Sequence, residues 1–102
     1  MRTIGELIRA FRESKGLLLR QVASTLEVDP SLLSKIERGD KRPTKEQVKR
    51  LAKLFETEEK ELMLAYLSDR LVYEIRNEDL ASEALKVAEQ KIEYLKKSNV
   101  IF

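Results

Sequence analysis

The side chains in this sequence that can do chemistry are hydroxyls and cations, and they gather in one stretch. Asp29-Pro30-Ser31 leads into Ser34 and Lys35, and Arg20, Arg38, Lys41, Arg42 and Lys45 flank that run. A serine hydroxyl both donates and accepts a hydrogen bond, and a lysine ammonium only donates. Such groups suit the recognition of polar edges and the neutralisation of anionic oxygens. Acid-base chemistry has little to draw on. With no Cys and no His, the chain lacks thiol nucleophiles, imidazole bases, disulfides and the common structural zinc sites. Three Gly leave no phosphate-cradling loop. Glu58, Glu59 and Glu61 are candidate acids only as any surface carboxylate is, so no enzyme activity, cofactor or metal is expected, and no small-molecule pocket is legible.

The elements that must position these residues are helical throughout. At 102 residues, 42% apolar and 37% charged, the chain fits one small domain with a real core. Thr3 and Glu6 have capping-box spacing, and Ile4, Leu7, Ile8 and Phe11 recur at helical intervals, which predicts a helix over about 4 to 15. Leu19, Val22, Ala23 and Leu26 predict a second helix. Asp29-Pro30 restarts the chain, with Asp29 as a cap and Pro30 at the first helical position, and the third helix runs to Gly39. After the basic loop Asp40-Lys41-Arg42-Pro43, Thr44 and Gln47 repeat the capping box. Val48, Leu51, Ala52, Leu54 and Phe55 then form a fourth stripe ending near Glu56. Thr57-Glu58-Glu59 opens a fifth helix carrying Leu62, Leu64, Leu67, Leu71 and Ile75, with an interruption at Asn77. Ala81, Leu85, Ala88, Ile92 and Leu95 alternate spacings of four and three, the pattern of a helix packing along a seam. No segment alternates with period two, which excludes strands.

The formal charge of +2 hides an asymmetry. Residues 1 to 56 hold 13 Lys+Arg against 8 Asp+Glu, a balance of +5; residues 57 to 102 hold 7 against 10, a balance of −3. A basic half joined to an acidic half fits a first part that meets a polyanion and a second that meets protein or water. Charge alone is equally compatible with an ordinary solvated surface. The two short helices over 19 to 38 sharpen the choice. Their second member has a small, polar N-terminus, with Leu33 and Ile36 able to anchor it and Ser31, Ser34 and Lys35 facing outward, the shape a major groove accepts. Arg20, Arg38, Lys41, Arg42 and Lys45 are then placed to meet backbone phosphates. Leu32 reads as either a thymine-methyl contact or packing.

The run LLLRQVASTLEVDPSLLSKIERGDKRPT resembles the helix-turn-helix of the Xre family, the phage repressor and Cro type, and the likeness extends over roughly residues 4 to 65. Ala23 stands where that family keeps a small residue between its two helices, and Val22, Leu26, Val28, Leu33 and Ile36 match its core positions. The resemblance implies that Pro30, Ser31, Ser34 and Lys35 face bases and that Arg12 pairs with Glu37 in a structural bridge. Two departures stand out. Leu18 lacks the family's cap hydroxyl, leaving Arg20 to take over a phosphate contact, and Glu27 occupies a turn position usually given to Gly. A left-handed backbone there costs a residue with a β-carbon about 1 kcal/mol, so the turn is expected to be reshaped.

The resulting expectation is an all-α protein: a five-helix repressor-like DNA-binding domain over residues 1–65 and a C-terminal helical extension over 66–102 for dimerisation. Its expected activity is sequence-specific binding of double-stranded DNA at a palindromic operator as a homodimer, with the recognition helix, about 30–38, in the major groove. Leu85, Ala88, Ile92 and Leu95 are the expected dimerisation residues, and the apolar end Val100-Ile101-Phe102 is expected to be buried. The alternative is an antitoxin or adaptor whose C-terminal helices hold a second protein. Met-Arg-Thr-Ile opens directly on an amphipathic pattern without a secretory segment, and no apolar stretch is long enough for a membrane, so a cytoplasmic protein is expected.

Overall fold

A computed structural model describes residues 1–98, which form six helices and no strand: α1 (Ile4–Ser14), α2 (Leu19–Leu26), α3 (Pro30–Arg38), α4 (Lys45–Leu54), α5 (Glu59–Ile75) and α6 (Ala81–Ser98). The expected burial of Val100-Ile101-Phe102 lies outside the described residues. Chain contacts divide the molecule into two compact units, Met1–Leu71 and Val72–Phe102. The first holds the core. Residue 65 falls inside α5, and Tyr66, which is buried, belongs with the first unit.

In the first unit α1 to α4 each contribute the apolar stripe that their spacing predicts. Ile8, Val22, Leu33, Val48, Leu51 and Leu62 have no exposed surface, and Phe55 stacks on Phe11 with ring centroids 5.7 Å apart. The fifth helix differs from expectation. Its buried residues are Leu62, Ala65 and Tyr66, while Leu64, Leu67 and Leu71 are exposed. Both series have helical spacing, so periodicity could not choose between them. Asp69, one turn beyond Ala65, helps select the face: its Oδ2 accepts a 2.8 Å hydrogen bond from the Ile4 amide and so satisfies one of the orphan donors that open α1.

The helix starts follow the caps. Thr3 and Glu6 close a reciprocal box at α1, as do Thr44 and Gln47 at α4. The Thr3 amide holds the Glu6 carboxyl below its ordinary pKa. That contribution is present above the ordinary carboxylate range and is lost as pH falls through the depressed value. Leu18 has no side-chain acceptor, yet the Gln21 Oε1 still accepts from the Leu18 amide at 2.7 Å, so half of the box survives at α2. At α3 the expected cap is absent: Asp29 occupies the cap position but its side chain makes no capping bond, and Pro30, which has no amide to satisfy, opens the helix instead.

The helix ends share one device. After α1, α2, α3 and α4 a left-handed residue reverses the chain, with φ of 67° at Gly16, 59° at Glu27, 85° at Gly39 and 53° at Glu56. In each case the next amide along the chain reaches back to a carbonyl five residues earlier, from Leu17 to Arg12, Val28 to Ala23, Asp40 to Lys35 and Thr57 to Ala52. The turn at Glu27 is therefore strained, not reshaped. Two of four reversals carry a β-carbon where glycine is favoured.

The third helix is fastened to α1 by charge and by close approach. Arg12 donates through Nε to Glu37 Oε2 at 2.7 Å and through Nη2 to Oε1 at 3.1 Å, and its Nη1 meets the Leu17 carbonyl at 3.1 Å. These side chains are only 13% and 6% exposed. Hydrogen bonding to Glu37 holds the Arg12 pKa above its usual value, and that contribution is lost as pH rises through the raised value. Beside this pair, a Cβ on Gly5 would run into the Ile36 carbonyl oxygen and lie 2.8 Å from that of Glu37. The backbones of α1 and α3 meet there with no room for a side chain.

The second unit contains the end of α5, the turn around Asn77 and α6. No residue of α6 is buried. Ala81, Ala88 and Leu95, seven residues apart, are half-buried.

These local energetics can be checked by substitution. Arg12→Ala leaves Glu37 buried and unpaired and costs roughly 3 kcal/mol, whereas Arg12→Met with Glu37→Leu costs less than either single change, as urea denaturation will show. Glu27→Gly removes the left-handed penalty of about 1 kcal/mol and, after the extra unfolded-state entropy of glycine, stabilises by up to about 0.5 kcal/mol, raising Tm by up to a few degrees; a lowered Tm would contradict the strain at this turn.

Candidate nucleic-acid interface

The segment α2–turn–α3 turns two adjacent sequence patterns into one surface. Val22, Ala23 and Leu26 of α2 and Leu33 and Ile36 of α3 are buried, and Ala23, 1% exposed, leaves the small gap across which the two helices pack. With the inner side of α3 taken up by Leu33, Ile36 and Glu37, its other side faces solvent. Ser31 and Lys35 are exposed and Ser34 is half-buried. Pro30 is exposed at the first turn of the same helix. Leu32, of two readings, is partly buried and packs against the core.

The cations surround this face without all behaving alike. Arg20 is exposed in the first turn of α2, Lys41 and Arg42 are exposed in the loop after α3, and Lys45 is exposed at the start of α4. Pro43 is buried, which pins that loop to the body. Arg38 is different, because its side chain is engaged on both sides: Nε meets Asp40 Oδ2 at 3.2 Å and Nη1 donates to Ser34 Oγ at 3.0 Å. Asp40, expected only as a polar loop residue, thus has a specific partner. A signal for it does exist in the chain, since a left-handed Gly39 turns the backbone on itself and carries a side chain two residues on toward the one before the turn. Gln21 and Gly5 are positioning residues that were likewise not anticipated. Gln21 stands three residues after the cap of α2, where a capping-box acceptor belongs.

The four expected dimerisation residues do not share one environment. Leu85 and Ile92 are 39% and 52% exposed, and Ala88 and Leu95 are half-buried within the second unit.

The arrangement offers a convex helix with a polar outer face and an adjoining loop of cations, which suits insertion into a groove lined by anions. It offers no paired acid and base for bond-breaking. Comparison with known proteins agrees with this geometry at the level of the family. No curated protein and no solved structure matches the chain. A family model described as a helix-turn-helix domain matches residues 3–64, which takes in α1 to α4, the start of α5 and every expected base- and phosphate-contacting residue. The chain therefore belongs to the helix-turn-helix domain family.

Proposed function

We propose that the protein is a sequence-specific regulator of transcription of the Xre type, which represses by occupying a palindromic operator in double-stranded DNA as a cytoplasmic homodimer. The observation that carries this reading is the two-sidedness of α3, buried on Leu33 and Ile36 and polar on the face that bears Ser31, Ser34 and Lys35. Pro30, Ser31, Ser34 and Lys35 meet bases in the major groove, and Arg20, Lys41, Arg42 and Lys45 meet phosphates on either side. Counterions released by those four cations supply affinity that is indifferent to sequence and falls with salt. No described helix is long and apolar enough to cross a membrane.

A single unit of this kind reads few base pairs, so two copies on a two-fold site supply the specificity. Support for pairing comes from exposed apolar surface. Leu64, Leu67 and Leu71 form a stripe on α5 at 57%, 42% and 54% exposure, an uncommon cost for a monomer. The second unit adds Leu85 and Ile92 on α6. The exposed Val87 and Tyr94 of the same helix favour a second reading, in which the C-terminal helices hold a different protein, as an antitoxin or adaptor does. A stoichiometric second polypeptide that co-purifies, with the isolated chain monomeric, would select it.

The test is a titration of a selected palindrome and of random-sequence duplex at several salt concentrations. Lys35→Ala weakens the selected site by about 1–3 kcal/mol and barely affects random DNA, whereas Arg42→Ala weakens both and lowers the salt slope by about one. Equal losses on both duplexes for Lys35→Ala would reduce it to a phosphate contact. By sedimentation, Leu67→Glu or Ile92→Glu converts dimer to monomer and costs binding to the palindrome while leaving a half-site unaffected.

A further inference from the structure

Resting on that reading of α3, we propose that Arg38 is a specificity-determining residue that reads a guanine in the major groove, held in place by Asp40 and Ser34. Position is the first argument. Seven residues separate Arg38 from Ser31, which returns it to within about 20° of the same helical direction. Arg38 therefore shares the outer face of α3 with the hydroxyls. Side chains on a helix also sweep toward its N-terminus. The Nη1 bond to Ser34 at 3.0 Å records that sweep: the guanidinium lies back over the middle of the recognition helix instead of reaching outward to a strand.

Charge is the second argument. A guanidinium bonded to a carboxylate is a neutral pair, and Asp40, 3.2 Å away, repels a phosphate oxygen that approaches it. A guanine edge carries acceptors at N7 and O6 without a net charge, so the same carboxylate does not repel it. The guanidinium has five N–H groups, of which one points to Asp40 and one to Ser34, leaving three for an outside acceptor. The pair is 58% and 61% exposed, so it adds little stability; its effect is to fix the direction of the fork. Asp40 is thus a positioning residue, Ser34 accepts from the fork while its own O–H stays able to donate to a base, and the phosphate contact expected of Arg38 gives way to base reading.

The test selects a preferred duplex from a random-sequence library with the full chain, then replaces each G·C pair in turn. With wild-type protein one such replacement in each half-site costs about 5- to 150-fold in affinity. In Arg38→Ala/Asp40→Ala, which deletes a neutral pair, that preference disappears while the salt slope stays unchanged. Arg38→Lys loses it too, because an ammonium cannot reproduce the fork. Asp40→Asn weakens the preference while random duplex binds more tightly. The proposal is overturned if the double variant loses affinity equally on all duplexes with the slope reduced by about one, or if Asp40→Asn raises selected and random binding in proportion; either marks Arg38 as a phosphate contact masked by Asp40. If wild-type protein binds no duplex in a salt-dependent way, the DNA-binding reading itself fails, an outcome separate from the failure of Arg38 alone.

Discussion

The structure depends on α3 being immobilised from one side only. A helix of nine residues is too short to hold itself together in water, so its rigidity must come from packing. Leu33 and Ile36 supply the apolar part of that packing. The bidentate pair between Arg12 and Glu37 supplies direction, because a planar fork on a carboxylate tolerates little rotation. Gly5 sets the separation, since the carbonyls of Ile36 and Glu37 lie where its side chain would be. These restraints all act on the inner face of α3 or on its final turn. None consumes Ser31 or Lys35 on the outer face, and this is how a small domain holds a helix rigid and still presents it.

Short connections between the helices arise from the same need. Each of the first four helices ends in a left-handed residue and a back-bonded amide, so the chain reverses within a few residues and no long loop separates the elements. Gly16 and Gly39 adopt this conformation without strain, while Glu27 and Glu56 carry a β-carbon in it. Val28, immediately after Glu27, is packed against the core. That contact accompanies the reversal and offsets part of its strain. The turn between α2 and α3 is therefore set by tertiary burial more than by the preference of the residue in it.

Much of this architecture is legible in the sequence because the relevant signals are local. Capping boxes at Thr3 and Thr44, Pro30 at a helix start and Gly39 at a helix end are each decided within a few residues, and the helices begin and end near where those signals put them. The apolar faces of α1 to α4 are legible for the same reason. Choice between equivalent patterns is not. Leu64, Leu67 and Leu71 have the spacing of a core stripe as good as that of Leu62, Ala65 and Tyr66, and only the tertiary bond from Ile4 to Asp69 and the shape of the existing core distinguish them. Asp29 carries the best capping side chain in the segment and stands at the cap position, yet its side chain makes no capping bond. Asp40 is hard to foresee because its partner stands on the other side of a glycine reversal, where distance along the chain says little about proximity.

Within the first unit some cations are bonded to a carboxylate and others are not, and the two groups differ in what they contribute. Arg9, Arg12, Arg38 and Arg50 each face a carboxylate of the same unit, and among the described residues Lys35, Lys41 and Lys45 enter no ion pair. A guanidinium already bonded to a carboxylate adds almost nothing to the field felt by a distant polyanion, but it fixes a planar group in space. An ammonium left in solvent fixes nothing, but its whole charge is available to attract phosphate and release counterions. Geometry and field are thus set by different residues. Arg12 can be tuned for stability without altering the attraction to DNA, and the lysines can be varied in number without disturbing the orientation of α3. A surface in which every cation was free would bind polyanions tightly and alike; pairing some of them internally lowers that indiscriminate attraction and leaves more of the binding energy to groups on the outer face of one short helix.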